Sequence, residues 1–227
     1  MTHLTRMSKG IICAAGITRS GQHVRPLYRG NNLSYRYLAR FGGPLSIGAV
    51  ARIPVGTEKP TSPHIEDYVF SSESISLAQQ VGASRFVEVL SEWAKETPTD
   101  ALGTALRKIG SESHGITEGS GERSLSYLSG VQGAEIFIRI SRNGNPRPRL
   151  RFMSGGFPYD LSITDCRMYL NDLSNPDEKK VDWMRDIVAG EEYLLAIGLS
   201  RALEGVHWLQ INGIYPVIDP YRANAPQ

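Results

Sequence analysis

The stretch "AEIFIRISRNGNPRPRLRFMSGGFPYDLSIT", residues 134–164, carries the clearest strand pattern in the chain. Its apolar side chains alternate with polar ones in three successive segments: Ile136, Ile138 and Ile140; Leu150 and Phe152; Tyr159, Leu161 and Ile163. Alternation of this kind is typical of strands with one buried face. Asn143-Gly144 is a strong hairpin signal, and Gly155-Gly156 marks a second turn. The stretch therefore predicts three consecutive antiparallel strands.

The sequence that follows adds a helix and two strands. Asn175-Pro176-Asp177-Glu178 is a favourable helix start, and the apolar residues behind it recur at helical spacing: Val181, Met184, Ile187 and Val188. Residues 193–199 and 206–217 then predict two further strands. Five strands with a helix between the third and the fourth is the order of an OB-fold, a small Greek-key barrel. We therefore predict an OB-like barrel over residues 131–218.

The first part of the chain has a similar but less regular outline. Residues 10–17 and 23–28 predict a hairpin around Ser20-Gly21. Residues 46–55 alternate in polarity, and residues 65–70 form another short strand candidate. We predict a first OB-like barrel over residues 9–83. The fold class is thus mainly β with minor α, with two OB-fold-like small β-barrels joined by a helical and Ser/Gly-rich segment.

Residues 84–130 are predicted to connect the two barrels. A helix over residues 84–96 has Ser84 as its N-cap, and its apolar residues are Phe86, Leu90 and Trp93. A second helix begins at Thr99 and ends at Gly110, with Leu102, Leu106 and Ile109 as its apolar stripe. Residues 111–124, "SESHGITEGSGERS", are polar and rich in Gly and Ser, and this composition predicts a flexible linker.

Several short motifs along the chain resemble one known family. They are "KGIICAAGITRSGQHVRPL" (9–27), "GGPLSIGAVARIPV" (42–55), "SPHIEDYVF" (62–70), "RFMSGGFPYDLSITDCR" (151–167), "EEYLLAIGLSRALE" (191–204) and "VHWLQINGIYPV" (206–217). In their order and spacing they are similar to the dual OB-containing domain (DuOB) family. The resemblance implies two OB-folds and a role in nucleic-acid recognition, often in bacterial defence or mobile-element contexts, and it implies no catalytic residues.

Positive charge is concentrated in two separate segments of the chain. The 227 residues carry a net charge of only +2, yet residues 1–57 contain seven arginines and one lysine but no acid. Residues 135–151 contain five arginines and a single acid, Glu135. The rest of the chain is acidic. Such asymmetry indicates an anionic partner.

The first basic segment interleaves arginines with aromatic residues. Nucleic-acid binding needs cations that meet phosphates and flat side chains on which bases stack. The candidate binding residues are Arg19, Arg25, Tyr28, Arg29, Tyr35, Arg36, Tyr37 and Arg40. Their positions at a turn, at a strand end and in the following loop suit the groove of an OB-fold. The alternative is that the tyrosines belong to the core and the arginines to a solvated rim.

The second basic segment lies on the hairpin of the opening stretch. It contains Arg139, Arg142, Arg147, Arg149 and Arg151, of which Arg139, Arg149 and Arg151 are the candidate nucleic-acid contacts. Arg149 and Arg151 share one face of their strand. The alternative is that these arginines keep an exposed hairpin soluble and prevent edge pairing.

Signals for catalysis, cofactors and metals are weak. Asp177, Glu178 and Lys180 resemble part of a metal-dependent nuclease site, but acids at a helix start are favoured for structural reasons. The five histidines and two cysteines, Cys13 and Cys166, show no metal-ligand spacing, and no phosphate loop, dinucleotide motif or nucleophile elbow is present. We therefore expect no enzyme activity, no cofactor and no metal, and two free thiols in a cytoplasmic protein.

The function that this sequence favours is non-enzymatic nucleic-acid binding, to single-stranded or irregular DNA or RNA. One alternative is a protein-interaction adaptor in a defence or regulatory complex, whose partner carries the effector activity. A more remote alternative is a metal-dependent nuclease. No run is long and apolar enough for a membrane span, so no membrane partner is expected.

Overall fold

The computed structural model describes residues 1–7, 10–72, 74–109, 113–141 and 143–224. Seventeen strands and three α-helices are named in these ranges. In chain order they are β1 (His3–Arg6), β2 (Ile11–Ile17), β3 (His23–Tyr28), β4 (Leu33–Ser34), β5 (Ala49–Arg52), β6 (Gly56–Glu58), β7 (Asp67–Phe70), β8 (Ser76–Gln80), α1 (Ala83–Trp93), β9 (Ala94–Lys95), α2 (Pro98–Leu102), β10 (Arg107–Ile109), β11 (Ser113–Thr117), β12 (Leu125–Leu128), β13 (Gln132–Ile140), β14 (Pro146–Ser154), β15 (Phe157–Ser162), α3 (Glu178–Gly190), β16 (Tyr193–Leu199) and β17 (Val206–Pro216). The prediction of a mainly β chain with minor α is confirmed.

The second half follows the predicted order of three strands, a helix and two strands. β13, β14 and β15 form a three-stranded antiparallel sheet, and β16 pairs antiparallel with β17. The side chains of Leu150, Phe152 and Leu161 are buried on one face of the three-stranded sheet. α3 begins at its N-cap Asp177, whose side chain accepts a hydrogen bond from the Lys180 N–H. Its four predicted apolar residues are all buried.

The first half is built on a six-stranded sheet. Its order is β1-β2-β3-β7-β6, with β4 paired to β2 as well, and β5 pairs separately with β8. The predicted β2–β3 hairpin is present, and β3 also pairs in parallel with β7. β1 was not predicted, because its four residues form a strand only by pairing with β2. The predicted strand over residues 46–55 is shorter, and Val55 is 95% exposed instead of buried.

The helices of the connecting segment differ in part from prediction. α1 contains the predicted buried residues Phe86 and Leu90, but its N-cap is Gly82 and not Ser84. α2 has Thr97 as its N-cap and ends at Gly103, which is left-handed with φ 66°. The second predicted helix is therefore wrong beyond Leu102, since residues 107–109 form β10. A left-handed glycine ends a helix because it satisfies the last carbonyls without steric cost.

The interpretation of residues 111–124 as a flexible linker is wrong for β11. β11 pairs with β10 and with β17, and its His114, Gly115 and Ile116 are buried. It belongs to a second six-stranded sheet, of order β10-β11-β17-β16-β12-β9, which joins the connecting segment to the last two strands. The domain boundaries at residues 9–83, 84–130 and 131–218 stay a prediction. Five positions used in the predictions lie outside the described residues: Lys9, Gly110, residues 111–112 and Arg142.

One hydrophobic core extends through both halves. It includes Leu4 and Ile12 from the first sheet, Phe86 from α1, and Leu150 and Tyr215 from the second half. Cys13 is half-buried and Cys166 is buried, and both are free thiols as predicted. Within the described ranges, no helix combines the length and the apolar character that crossing a membrane requires.

Candidate nucleic-acid interface

The second basic segment forms one face of the sheet made by β13, β14 and β15. Cross-strand neighbours point to the same side of an antiparallel sheet. Phe137 lies opposite Arg149, Arg139 opposite Arg147, and Arg151 opposite both Glu135 and Asp160. The opposite face carries the buried apolar residues, which pack into the core. We call the polar side, defined by these seven residues, the arginine face.

Phe137 lies between two guanidinium groups on the arginine face. The guanidinium carbon of Arg151 is 5.0 Å from the centroid of the Phe137 ring, and that of Arg139 is 5.3 Å from it. Both distances are within the range of cation–π attraction. Phe137 and Arg139 are half-buried and Arg151 is exposed. The arrangement presents a flat aromatic side chain flanked by positive charge.

Asp160 lies close to three of the arginines on the arginine face. Its carboxylate lies 2.5 Å from Nε of Arg149, 2.9 Å from Arg139 and 3.9 Å from Arg151. Arg149 also donates to the Ser162 hydroxyl at 2.9 Å and to the Asp160 carbonyl at 2.6 Å, and its side chain is only 12% exposed. Arg149 is therefore a positioning residue here, and the prediction that it meets a ligand directly is not supported by its contacts.

The arginine face keeps an excess of positive charge. Among the seven residues that define it there are four arginines and two carboxylates, and Arg151 is also 3.4 Å from Glu135. Arg147 is exposed and has no carboxylate within 4.0 Å among the described residues. Phe137 and Arg147 were not among the residues chosen as contacts. The alternation of residues along the strands could have identified them, because both point to the same side of the sheet as the chosen arginines.

Four of the five candidate arginines in the first basic segment are exposed, whereas its candidate tyrosines are packed. Arg19, Arg29, Arg36 and Arg40 are exposed. Arg29 has a positive φ of 50° in the turn after β3, and its guanidinium lies 5.1 Å from the ring centroid of Tyr28. These four arginines remain candidates for phosphate contacts.

The tyrosines of this segment are half-buried and pack against the core. The Tyr28 ring lies 5.8 Å from Phe70, and the Tyr35 ring meets Phe41 edge-on at 4.8 Å. Tyr37 is also half-buried against core residues. Each ring is therefore used in part for packing, so their role as stacking platforms stays a prediction.

The prediction that Arg25 contacts nucleic acid is wrong. Arg25 is 2% exposed, and its guanidinium lies 3.0 Å from Asp67 and 3.7 Å from Glu66. It also donates to Nδ1 of His64 at 2.9 Å and to the Ser124 hydroxyl. Arg25 lies on β3 beside the parallel strand β7, which brings Asp67 directly opposite it. A buried guanidinium that is paired with two carboxylates is not available to a phosphate.

The residues of the nuclease-like motif do not converge. Asp177 caps α3, and Glu178 is exposed in the first turn of that helix. Across the described ranges, no three His, Cys, Asp or Glu side chains lie close enough together to hold a metal ion. The acids at this helix start have the structural explanation that the helix dipole provides.

Comparison with known proteins gives one match. A family model described as "Dual OB-containing domain" matches residues 4–214, which is most of the chain. No curated protein matches the chain. No solved structure matches it either.

Proposed function

Because the chain belongs to the dual OB-containing domain family, we propose that it is a binding module for nucleic acid and that it performs no chemistry on its ligand. OB-folds bind oligonucleotides and oligosaccharides on a strand face and its adjoining loops. The observation that carries the proposal is Phe137 flanked by Arg139 and Arg151 on the arginine face. A base stacks on the aromatic ring, and the guanidiniums meet the neighbouring phosphates.

We propose single-stranded or irregular DNA or RNA as the ligand. Stacking on Phe137 requires an unpaired base with an open face, which a regular duplex does not offer. Arg147 and the exposed arginines of the first basic segment add charge that follows a phosphate backbone. Contacts of these two kinds tolerate any sequence, so sequence preference is modest. A cytoplasmic role in bacterial defence or in a mobile element belongs to the same proposal, and it rests on the family alone.

The direct test is fluorescence anisotropy with labelled single- and double-stranded DNA and RNA oligomers. About five phosphate contacts correspond to a slope near −4 in a plot of log affinity against log salt concentration. We expect the single-stranded oligomers to bind more tightly than the duplexes, with affinity falling steeply as salt is raised. Absence of binding near physiological salt would refute the proposal. In that case the adaptor hypothesis is tested next, by pull-down of a protein partner.

The absence of catalysis is tested in the same samples. Oligomers incubated with the protein and Mg²⁺ stay intact if the protein only binds. Cleavage that disappears in Glu178→Gln would instead establish the nuclease alternative, since that substitution removes the acid that the motif requires.

A further inference from the structure

A cavity of about 620 Å³ lies where residues of the first and second halves meet. Its apolar wall comes from the first half: Leu4, Leu38, Leu45 and Ile47. Residues of the second half complete it, among them Cys166, Tyr169 and Leu170, with Asp177 and Lys180 at the start of α3. The volume is in the range of about 300–1,000 Å³ that small-molecule sites occupy. None of its lining residues belongs to the arginine face.

Two cations line this cavity without a paired acid. Arg40 is exposed and donates to the carbonyl of Tyr169 at 2.9 Å, and Lys180 is half-buried in the first turn of α3. Neither has a carboxylate within 4.0 Å among the described residues. Burial lowers the pKa of Lys180. Attraction from Asp177 opposes that shift, and repulsion from Arg40 and Arg167 adds to it.

The other charged side chains that line the cavity, Arg167 and Asp177, already make hydrogen bonds within the protein. Arg167 is buried and holds Asp165 through several hydrogen bonds, the shortest of 2.7 Å, while it also donates to the Pro220 and Ile214 carbonyls. Asp177 accepts the Lys180 N–H as the N-cap of α3. Desolvation also lowers the pKa of Arg40, with Cys166 and Asp165 opposing that shift. Arg40 and Lys180 thus form no ion pair within 4.0 Å among the described residues, and Asp165 and Asp177 act on both of them only at longer range.

We propose that this cavity binds a small organic anion, with an apolar or aromatic body against Leu38, Leu45 and Ile47 and one anionic group between Arg40 and Lys180. An apolar body gains free energy by leaving water, and an anionic group forms charge-assisted hydrogen bonds with both cations. The site is separate from the arginine face, and the proposal assigns Arg40 to the cavity in place of its predicted phosphate contact. Binding there joins residues of the two halves around one ligand.

The test uses the fluorescent probe 1-anilinonaphthalene-8-sulfonate, which has an aromatic body and one anionic group. We expect saturable binding at one site per chain. Arg40→Gln and Lys180→Gln should each weaken it about tenfold, the loss expected for one charge-assisted hydrogen bond. Ala39→Phe, which adds a ring at the exposed lining position 39, should abolish it. Arg85→Gln, on α1, is the matched control and should leave the affinity unchanged.

Two further ligands separate the parts of the proposal. N-phenyl-1-naphthylamine, which lacks the sulfonate, should bind more weakly and should not respond to Arg40→Gln. Inorganic phosphate alone should not displace the probe, because it has no apolar body. Wild-type affinity for the sulfonate probe in all three cavity variants, or full displacement by inorganic phosphate, would overturn the proposal. Unchanged thermal unfolding of each variant confirms that the fold is retained, and unchanged oligomer binding by Ala39→Phe separates this site from the arginine face.

Discussion

The carboxylate of Glu66 accepts two hydrogen bonds from Ser124, one from its backbone N–H and one from its hydroxyl, each at 2.8 Å. The N–H of Leu125 adds a third at 3.1 Å. Glu66, Ser124 and Leu125 are all buried. Glu66 precedes β7 in the first half, and Ser124 precedes β12 in the connecting segment. This contact fixes the two segments to each other in the interior of the protein.

Glu66→Gln should destabilise the protein by about 3 kcal/mol. The amide keeps the shape of the side chain, but it loses charge-assisted acceptance from two N–H groups and places an NH₂ group where an acceptor is required. Urea unfolding followed by circular dichroism measures the change. Glu88→Gln, on the exposed surface of α1, is the control and should stay within about 0.5 kcal/mol of wild type. If the two variants unfold at the same urea concentration, the hydrogen bonds of Glu66 do not contribute the stability that we assign to them.

Arg25→Met should destabilise the protein by about 3–5 kcal/mol. The substitution leaves the buried carboxylates of Asp67 and Glu66 without their shared cation, which is costly in a water-excluded site. The measurement is again urea unfolding, with Arg29→Gln as the exposed control on the turn after the same strand. The affinity of Arg25→Met for oligomers, calculated from the concentration of folded protein, should equal that of wild type. If the variant has normal stability but binds oligomers more weakly, then Arg25 does contact phosphate and its assignment as a buried structural residue is wrong.

Stability should fall as the pH is lowered from about 6.5. Nδ1 of His64 accepts a hydrogen bond from Arg25, so the ring is neutral. Burial, with repulsion from Arg25 and Arg201, lowers the pKa of His64 to about 2. Below the unfolded pKa of about 6.5 the unfolded chain binds a proton that the native ring does not, so the native state loses stability as pH falls towards 2. The slope is about 1.4 kcal/mol per pH unit for this one group.

Three other histidines, His3, His23 and His114, act with the same sign because burial lowers the pKa of each, and this makes a variant necessary. Burial lowers the pKa of His3 well below its usual value and that of His23 to about 4. His64→Asn retains an acceptor for Arg25 but cannot titrate. Urea unfolding at pH 7, 6 and 5 should therefore show a smaller loss of stability than wild type, by about 0.7 kcal/mol between pH 7 and 6 and by about 1.2 kcal/mol between pH 6 and 5. Identical slopes in the two proteins would show that His64 is protonated in the native state.

Phe137→Ala should weaken single-stranded oligomer binding by about 1–3 kcal/mol, the range for stacking of one base on an aromatic side chain. The salt slope should stay as in wild type, since no phosphate contact is removed. Arg151→Gln should instead reduce the slope by about one contact. Anisotropy titrations at two salt concentrations distinguish the two effects. Arg85→Gln serves as the control, and Phe137→Ala with wild-type affinity would remove the stacking role.

The parts of the fold that the sequence predicted well are those fixed by local pattern. β13, β14, β15 and α3 have regular periodicity and strong turn or cap residues, so each is recognisable without its neighbours. β11 has only one large apolar residue, Ile116, and contains Gly115. It forms a strand because it pairs with β17, and this pairing cannot be recognised from the residues of β11 alone.

The same distinction explains the candidate site. The arginine face follows from strand parity, which the sequence shows directly. The burial of Arg25 depends on Asp67, 42 positions away, and on Ser124, 99 positions away. No window of sequence contains these partners, so a buried ion-pair cluster looks like part of a basic surface. The cavity at Arg40 and Lys180 is likewise lined by segments that are far apart in the sequence.

The hydroxyls of two buried tyrosines reach back to the first residues of the chain. Tyr127 donates to the hydroxyl of Thr2 at 2.7 Å, and Tyr215 donates to the Thr2 carbonyl. These pairs are separated by 125 and 213 positions, so the closing contacts are among the most non-local that the chain offers. Non-local contacts slow folding, because the entropy of closing a long loop is lost before the contact forms. During synthesis, the contact between Thr2 and Tyr215 forms only after residue 215 has left the ribosome, whereas every strand of the first sheet lies before residue 71 and is made long before that contact.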